Sequence, residues 1–146
     1  MMVDYNAAFY TCSLIEYIGR ERKLTRREVV RALGDSLSRI YSHADVFHCE
    51  PVAQVVDDFV NLCQIPTGDF DNVAKCRYTV PSCWEIGAVF ARLVEDVADN
   101  RNPVEVIREV YESWISDAIC RFNTDLYYQS RQYLADSYRK QELIAA

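Results

Sequence analysis

Apolar residues recur along most of this chain at three- and four-residue intervals, the spacing that aligns side chains on one face of an α-helix. Ala8, Cys12 and Ile15, extended by Leu14 and Ile18, make such a stripe and predict a first helix over about Ala7–Arg22. Thr25 to Glu28 has the form of a capping box: the Thr25 hydroxyl accepts from the Glu28 amide while the Glu28 carboxylate accepts from the Thr25 amide. A second helix starts there with Val29, Val30 and Leu33, and Gly34 suits the left-handed residue that closes it. Asp35 or Ser36 caps a short third helix with Leu37, Ile40 and Tyr41. Ala44–Glu50 interrupts the period. Pro51 then suits the first turn of a fourth helix carrying Val52, Val55, Val56, Phe59 and Cys63, because its missing amide hydrogen costs nothing there.

Residues 66–80 show no sustained period and read as a linker between an N-terminal module, 1–65, and a C-terminal module, 81–146, which can share one core. Residues 75–80 alternate like an extended segment, but one such segment makes no sheet. Pro81 turns Val80 away from helical dihedrals. Ser82 and Glu85 form a second capping box, and the helix behind it has the cleanest period, with Ile86, Val89, Phe90, Leu93, Val94 and Val97. Asn102, Pro103 and Glu105 signal another helix start, with Val106, Ile107, Val110, Tyr111, Trp114 and Ile115 on its face. A short helical piece over Ser116–Phe122, a turn at Asn123–Asp125 and a last helix over Ser130–Leu143 complete an all-α fold, a compact multi-helix bundle.

The halves read alike. Leu14–Ile18 matches Leu93–Val97, and Thr25, Glu28 and Arg31 match Asn102, Glu105 and Arg108 with a two-residue gap. Asp45, Val46 and Phe47 match Asp125, Leu126 and Tyr127, so both halves run long helix, capped helix, short helix, aromatic loop, final helix. That order predicts two related helical modules packed on each other.

Composition narrows the setting. At 146 residues, half of them apolar and with four Gly and four Pro, the chain has the size and make-up of an ordinary globular domain. The net charge of −6 disfavours generic adhesion to nucleic acid or anionic lipid. No stretch approaches the roughly 18 apolar residues of a membrane span. The six cysteines contain no C-x-x-C pair, Met1–Phe9 lacks the basic start and apolar run of a signal peptide, and Cys12, Cys63 and Cys120 fall in apolar helical patterns. Reduced thiols in a cytoplasm are expected.

Specific residues of each half carry a resemblance. The N-terminal half, through Ile15, Glu16, Tyr17, Lys23, Leu24, Thr25, Glu28, Val29 and the Asp45–His48 loop, resembles a family of short uncharacterised bacterial helical proteins. The C-terminal half, through Ile86, Gly87, Val110–Ser113, Asp125–Tyr127, Gln129, Ser130, Tyr133 and Leu134, is similar to a second such family. Members of both tend to be encoded together, often beside a protein resembling an ADP-ribosyltransferase toxin. The resemblance implies an antitoxin-like or accessory role, with both families fused here in one chain. Their motifs are loose and include no catalytic signature.

Chemistry-bearing clusters are few. His43, Asp45, His48 and Cys49 offer transition-metal ligand types, but their spacing matches no zinc motif. The reading is a loop that plugs a gap between helices, with no metal and no cofactor. No nucleophile elbow or glycine-rich phosphate loop occurs. Asp57 and Asp58, and likewise Glu95 and Asp96, are adjacent and point about 100° apart on a helix, as solvated faces do. No enzyme is predicted.

Two binding expectations remain. Asn102–Tyr138 concentrates Tyr111, Trp114, Phe122, Tyr127, Tyr128, Tyr133 and Tyr138. Aromatic and arginine side chains often anchor protein interfaces, which nominates Trp114, Arg121, Tyr127 and Tyr128 for another protein or a second copy of the chain. The alternative is a helix-turn-helix. Residues 20–39 carry +4, against −2 before and −8 after, and they read as helix, Gly34 turn, helix. Arg26, Arg27 and Arg31 would then contact phosphates, with Ser38 and Arg39 on the reading helix.

Overall fold

A computed structural model describes residues 2–144, and among these the ordered backbone is helical with no strand. The N-terminal half contains α1 (Tyr5–Arg22), α2 (Arg26–Leu33), α3 (Ser36–Ser42), the single turn α4 (Ala44–Phe47) and α5 (Val52–Cys63). The C-terminal half contains α6 (Cys83–Val97), α7 (Pro103–Glu112), α8 (Trp114–Ile119), a 3-10 turn (Leu126–Tyr128) and α9 (Arg131–Lys140). The expected order of elements is therefore present in each half. α1 packs most extensively on α6, and α2 packs on α7.

Local chemistry sets the ends. Asp4, an N-cap not anticipated from the pattern, accepts from the Ala7 amide at 3.2 Å and starts α1 two residues early. The Thr25 capping box forms in both directions. Asn102 accepts from the Val104 and Glu105 amides, with Pro103 buried at the first position of α7. Asp35, by contrast, makes no capping bond. Lys23, Gln64 and Gln141 take left-handed dihedrals and close α1, α5 and α9, so the last helix stops short of Leu143.

One expected helix is broken. The apolar period puts Trp114 and Ile115 on the same helix as Val106, but Ser113 is extended, with φ −87° and ψ 168°. Its hydroxyl donates to the Val110 carbonyl at 2.7 Å and accepts from the Ile115 amide, ending α7 and starting α8 with a single side chain.

The core is one continuous apolar cluster drawn from both halves, including Ile15, Ile18, Leu37, Val55, Phe90, Leu93, Ile107 and Ile119. α1 runs through its middle and buries side chains around most of its circumference, the polar ones of Thr11, Ser13 and Glu16 included. Gly87 is what lets α6 lie so close to it: a Cβ there would stand 2.7 Å from the Ser13 Cα and 2.8 Å from its amide nitrogen. Residues 66–80 carry no helix but do not hang free. The amides of Gly68 and Phe70 donate to the carbonyls of Arg22 and Lys23, and buried Asn72 donates to the Cys120 carbonyl at 2.9 Å. That stretch seals the ends of α1 and α8.

Candidate protein-interaction surface

Asp4 fixes the start of α1 and so places Tyr5 and Phe9 one turn apart, their rings stacked at 6.2 Å. Ser82 accepts from the Glu85 amide at 3.0 Å and starts α6 with Trp84 in its first turn. Trp84 packs against Phe9 at 5.6 Å, edge-on to Tyr17 at 5.5 Å, and stacks on His48 at 5.5 Å. On the other flank of α6 the 3-10 turn carries Tyr127 and Tyr128, their rings edge to face at 4.8 Å. Ser130 then caps α9. Arg131 in its first turn is clamped by Asp96 at 2.7 and 2.9 Å and by Glu95 at 2.9 Å. Those hydrogen bonds raise the Arg131 pKa further and tie α9 to α6. Glu95 and Asp96 are thus a clamp rather than the purely solvated face expected of them.

Between these flanks lies an open trough of about 730 Å³, more apolar than polar in its lining. Its floor is one face of α6: Glu85, Ala88, Val89 and Arg92 lie three, four and seven residues apart and so share a stripe. Tyr5 and Phe9 line one wall, Tyr127, Tyr128 and Leu134 the other. Glu85 and Arg92 are exposed, and neither side chain makes an ion pair or hydrogen bond among the described residues. The Glu85 carboxylate does not make the return bond of its expected capping box, which leaves it at the trough. Tyr128 is 68% exposed. Tyr127 is half-buried against Phe122, and its pKa is raised by burial first, then by Tyr128, Cys76 and Glu85. Across the tyrosine pair a second hollow of about 440 Å³ is bounded by Tyr78 and Asn123–Asp125.

Of the four nominated anchors, Tyr127 and Tyr128 line the trough; Trp114 and Arg121 do not. Trp114 sits half-buried on α8 against the core, and Arg121 is exposed just past α8. Tyr5, Phe9, Trp84 and Arg92 were missed because they flank, rather than form, the inward stripes of α1 and α6. The one available signal was Trp84, an apolar residue off the line of Ile86, Phe90, Leu93 and Val97; Val89, expected on that line, is only half-buried and lines the trough.

The basic run meets a different fate. Arg26, expected at a phosphate, is 1% exposed and lies across Gly19, where any Cβ would collide with its guanidinium. It donates from Nε to Glu16 Oε1 at 2.9 Å and from Nη1 to the Leu24 carbonyl at 2.9 Å. Burial opposes its charge, but the Glu16 carboxylate outweighs that and holds the pKa above the usual arginine value. The Tyr111 hydroxyl donates to Glu16 Oε2 at 3.1 Å, completing a fully buried polar knot. Burial raises the Tyr111 pKa well above normal, with Cys12 and Glu16 adding to it.

Arg27 pairs with Asp117 at 3.1 Å and Arg31 with Glu112 at 2.8 Å, so α7 and α8 occupy two more of the expected phosphate ligands. Ser38 and Arg39 face solvent on α3. Among residues 43–49, His43 Nδ1 lies 3.3 Å from the Arg39 carbonyl and Cys49 donates to the Asp45 carbonyl. His48 stacks on Trp84 and Phe47 meets Phe59 edge-on at 5.4 Å. Among the described residues no three His, Cys, Asp or Glu side chains converge as a metal-holding group, and no helix is long and apolar enough to cross a membrane.

No protein-family model, curated protein or solved structure matches this chain.

Proposed function

We propose that this chain is a non-enzymatic protein-interaction module whose trough along α6 holds an apolar segment of another protein. The observation that carries the proposal is the trough itself: five aromatic side chains, from Tyr5, Phe9, Trp84, Tyr127 and Tyr128, converge from three separate parts of the chain onto an open floor with Ala88 and Val89 at its centre and one charge at each end. Isolated surface apolar residues need no explanation, but a contiguous aromatic patch rimmed by charge is the composition of an interface centre. The open shape suits a chain segment better than a small molecule, for which pockets enclose most of the ligand.

The resemblance of the two halves to proteins encoded beside ADP-ribosyltransferase-like toxins directs the search to a toxin-like partner and an antitoxin-like or accessory role. The six free thiols fit a reducing, cytoplasmic setting. The matching element order, with α1 against α6 and α2 against α7, supports an origin of the two modules by duplication.

Affinity capture from native cells tests the proposal, with Val89→Glu in the trough and Arg39→Glu on α3 as a surface control. A partner identified by mass spectrometry should be retained by the wild-type chain and by Arg39→Glu, and lost with Val89→Glu. Equal retention by all three overturns the assignment.

A further inference from the structure

The trough has a direction as well as a chemistry. Its two uncommitted charges, Glu85 and Arg92, stand seven residues apart on one face of α6. Two helical turns place them about 10.5 Å apart along the axis, with Ala88 and Val89 between them. Ala88 is the smallest side chain of the floor, so the backbone of whatever lies there can approach closely at that point. The aromatic walls, Tyr5 and Phe9 on one side and Tyr127 and Tyr128 on the other, run alongside this stripe.

We infer that the occupant is an amphipathic α-helix of the partner protein, lying along α6 and carrying a basic and an acidic residue seven positions apart. The basic residue meets Glu85 and the acidic one Arg92, while apolar residues at intervening helical positions fill the aromatic walls. This inference rests on the trough being a polypeptide-docking site. Helices recognised in grooves present their side chains at i, i+3 or i+4 and i+7, the spacing at which Glu85, Ala88, Val89 and Arg92 stand on the floor. Opposite charges at the two ends of the floor set register and orientation, and the order of Glu85 and Arg92 allows only one direction for a given occupant. A second copy of the chain offers the same pair of charges, but on the floor of its own trough. Two concave faces cannot seat in each other, so a symmetric pairing of trough on trough does not fill it, whereas a convex partner helix does.

Selection from a phage-displayed library of random 14-residue peptides tests this on the full chain, using wild type, Val89→Glu, Arg92→Glu and the double exchange E85K/R92E. Enriched peptides should show apolar residues at helical spacing with a basic and an acidic residue seven apart. Their synthetic forms should bind with induced helicity, weaken about 5-fold with Arg92→Glu, and select the reversed charge order on E85K/R92E. Peptides that require Val89 but lack helical spacing, or ignore both charge variants, overturn the helical inference and leave the docking site standing. Peptides indifferent to Val89→Glu, or no enrichment at all, overturn both. A dimer in sedimentation that Val89→Glu dissociates overturns the inference in favour of a second copy.

Discussion

Replacing Gly87 with alanine tests the packing on which the trough is built. In an exposed helix this change stabilises by about 1 kcal/mol, because alanine loses less backbone freedom than glycine. Here the added Cβ would also meet the Ser13 side chain and would stand 2.7 and 2.8 Å from the Ser13 Cα and nitrogen, some 0.6–0.7 Å inside ordinary contact at 3.4 Å. Main-chain atoms have no rotamer to turn away and Ser13 is fully buried, so α1 and α6 must part where they cross. Overpacking of this kind costs about 1–3 kcal/mol and more where backbone must move, which leaves a net loss of about 2 kcal/mol after the propensity gain. For a chain of this size each kcal/mol shifts the melting temperature by about 2–4 °C, so a fall of about 4–8 °C is expected. Thermal unfolding followed by circular dichroism, with urea midpoints at 25 °C, reads it directly. A melting temperature that stays put or rises would show that α1 and α6 do not cross at Ser13 and Gly87, and the trough floor would lose its support.

The buried knot gives a second test. Arg26→Met leaves Glu16 charged and unpaired in the core and should cost about 4 kcal/mol in urea unfolding, whereas the double variant E16L/R26M should recover most of that loss. If the double variant is no more stable than the single, the two residues are not a pair. Thiol chemistry gives a third: Ellman's reagent should modify exposed Cys49 quickly, and Cys12 and Cys120 only on unfolding, since burial raises both of their pKa values. Burial likewise pushes the Cys83 thiol from 9.0 up to about 11. The folded state therefore prefers the neutral thiol, and its contribution to stability is complete below pH 9.0 and lost as the pH rises toward about 11. A urea midpoint unchanged between those limits would contradict that. Random duplex DNA should bind weakly even at low salt, because Arg26, Arg27 and Arg31 are engaged by Glu16, Asp117 and Glu112; tight binding with a steep salt slope would refute this.

How far the sequence could be read follows from the range of each interaction. Helix starts at Thr25, Ser82 and Asn102 were legible because capping is settled within four residues. The stripe of α6 was legible because period is a local property. Arg26 was not: it stands beside Arg27 in the same run, and what separates them is Glu16 ten residues back, Gly19 making room, and Tyr111 sharing the carboxylate. The break at Ser113 turned on one hydroxyl bridging two backbone groups, which interrupts no apolar pattern. The turn at Tyr127 and Tyr128 was legible because its two adjacent tyrosines belong to a local concentration of aromatic residues of the kind that anchors interfaces. Their partners across the trough, Tyr5 and Phe9, lie more than a hundred residues away, joined to them only by the packing of α1 and α9 on opposite flanks of α6.

Trp84 offers the most direct reading of the docking surface, since it lines the trough and the chain has only two tryptophans. In Trp114→Phe the emission reports Trp84 alone. On addition of the captured partner, acrylamide quenching of that emission should fall severalfold as the trough fills. A complex that forms while Trp84 stays as open to acrylamide as before would place the interface elsewhere and contradict the assignment.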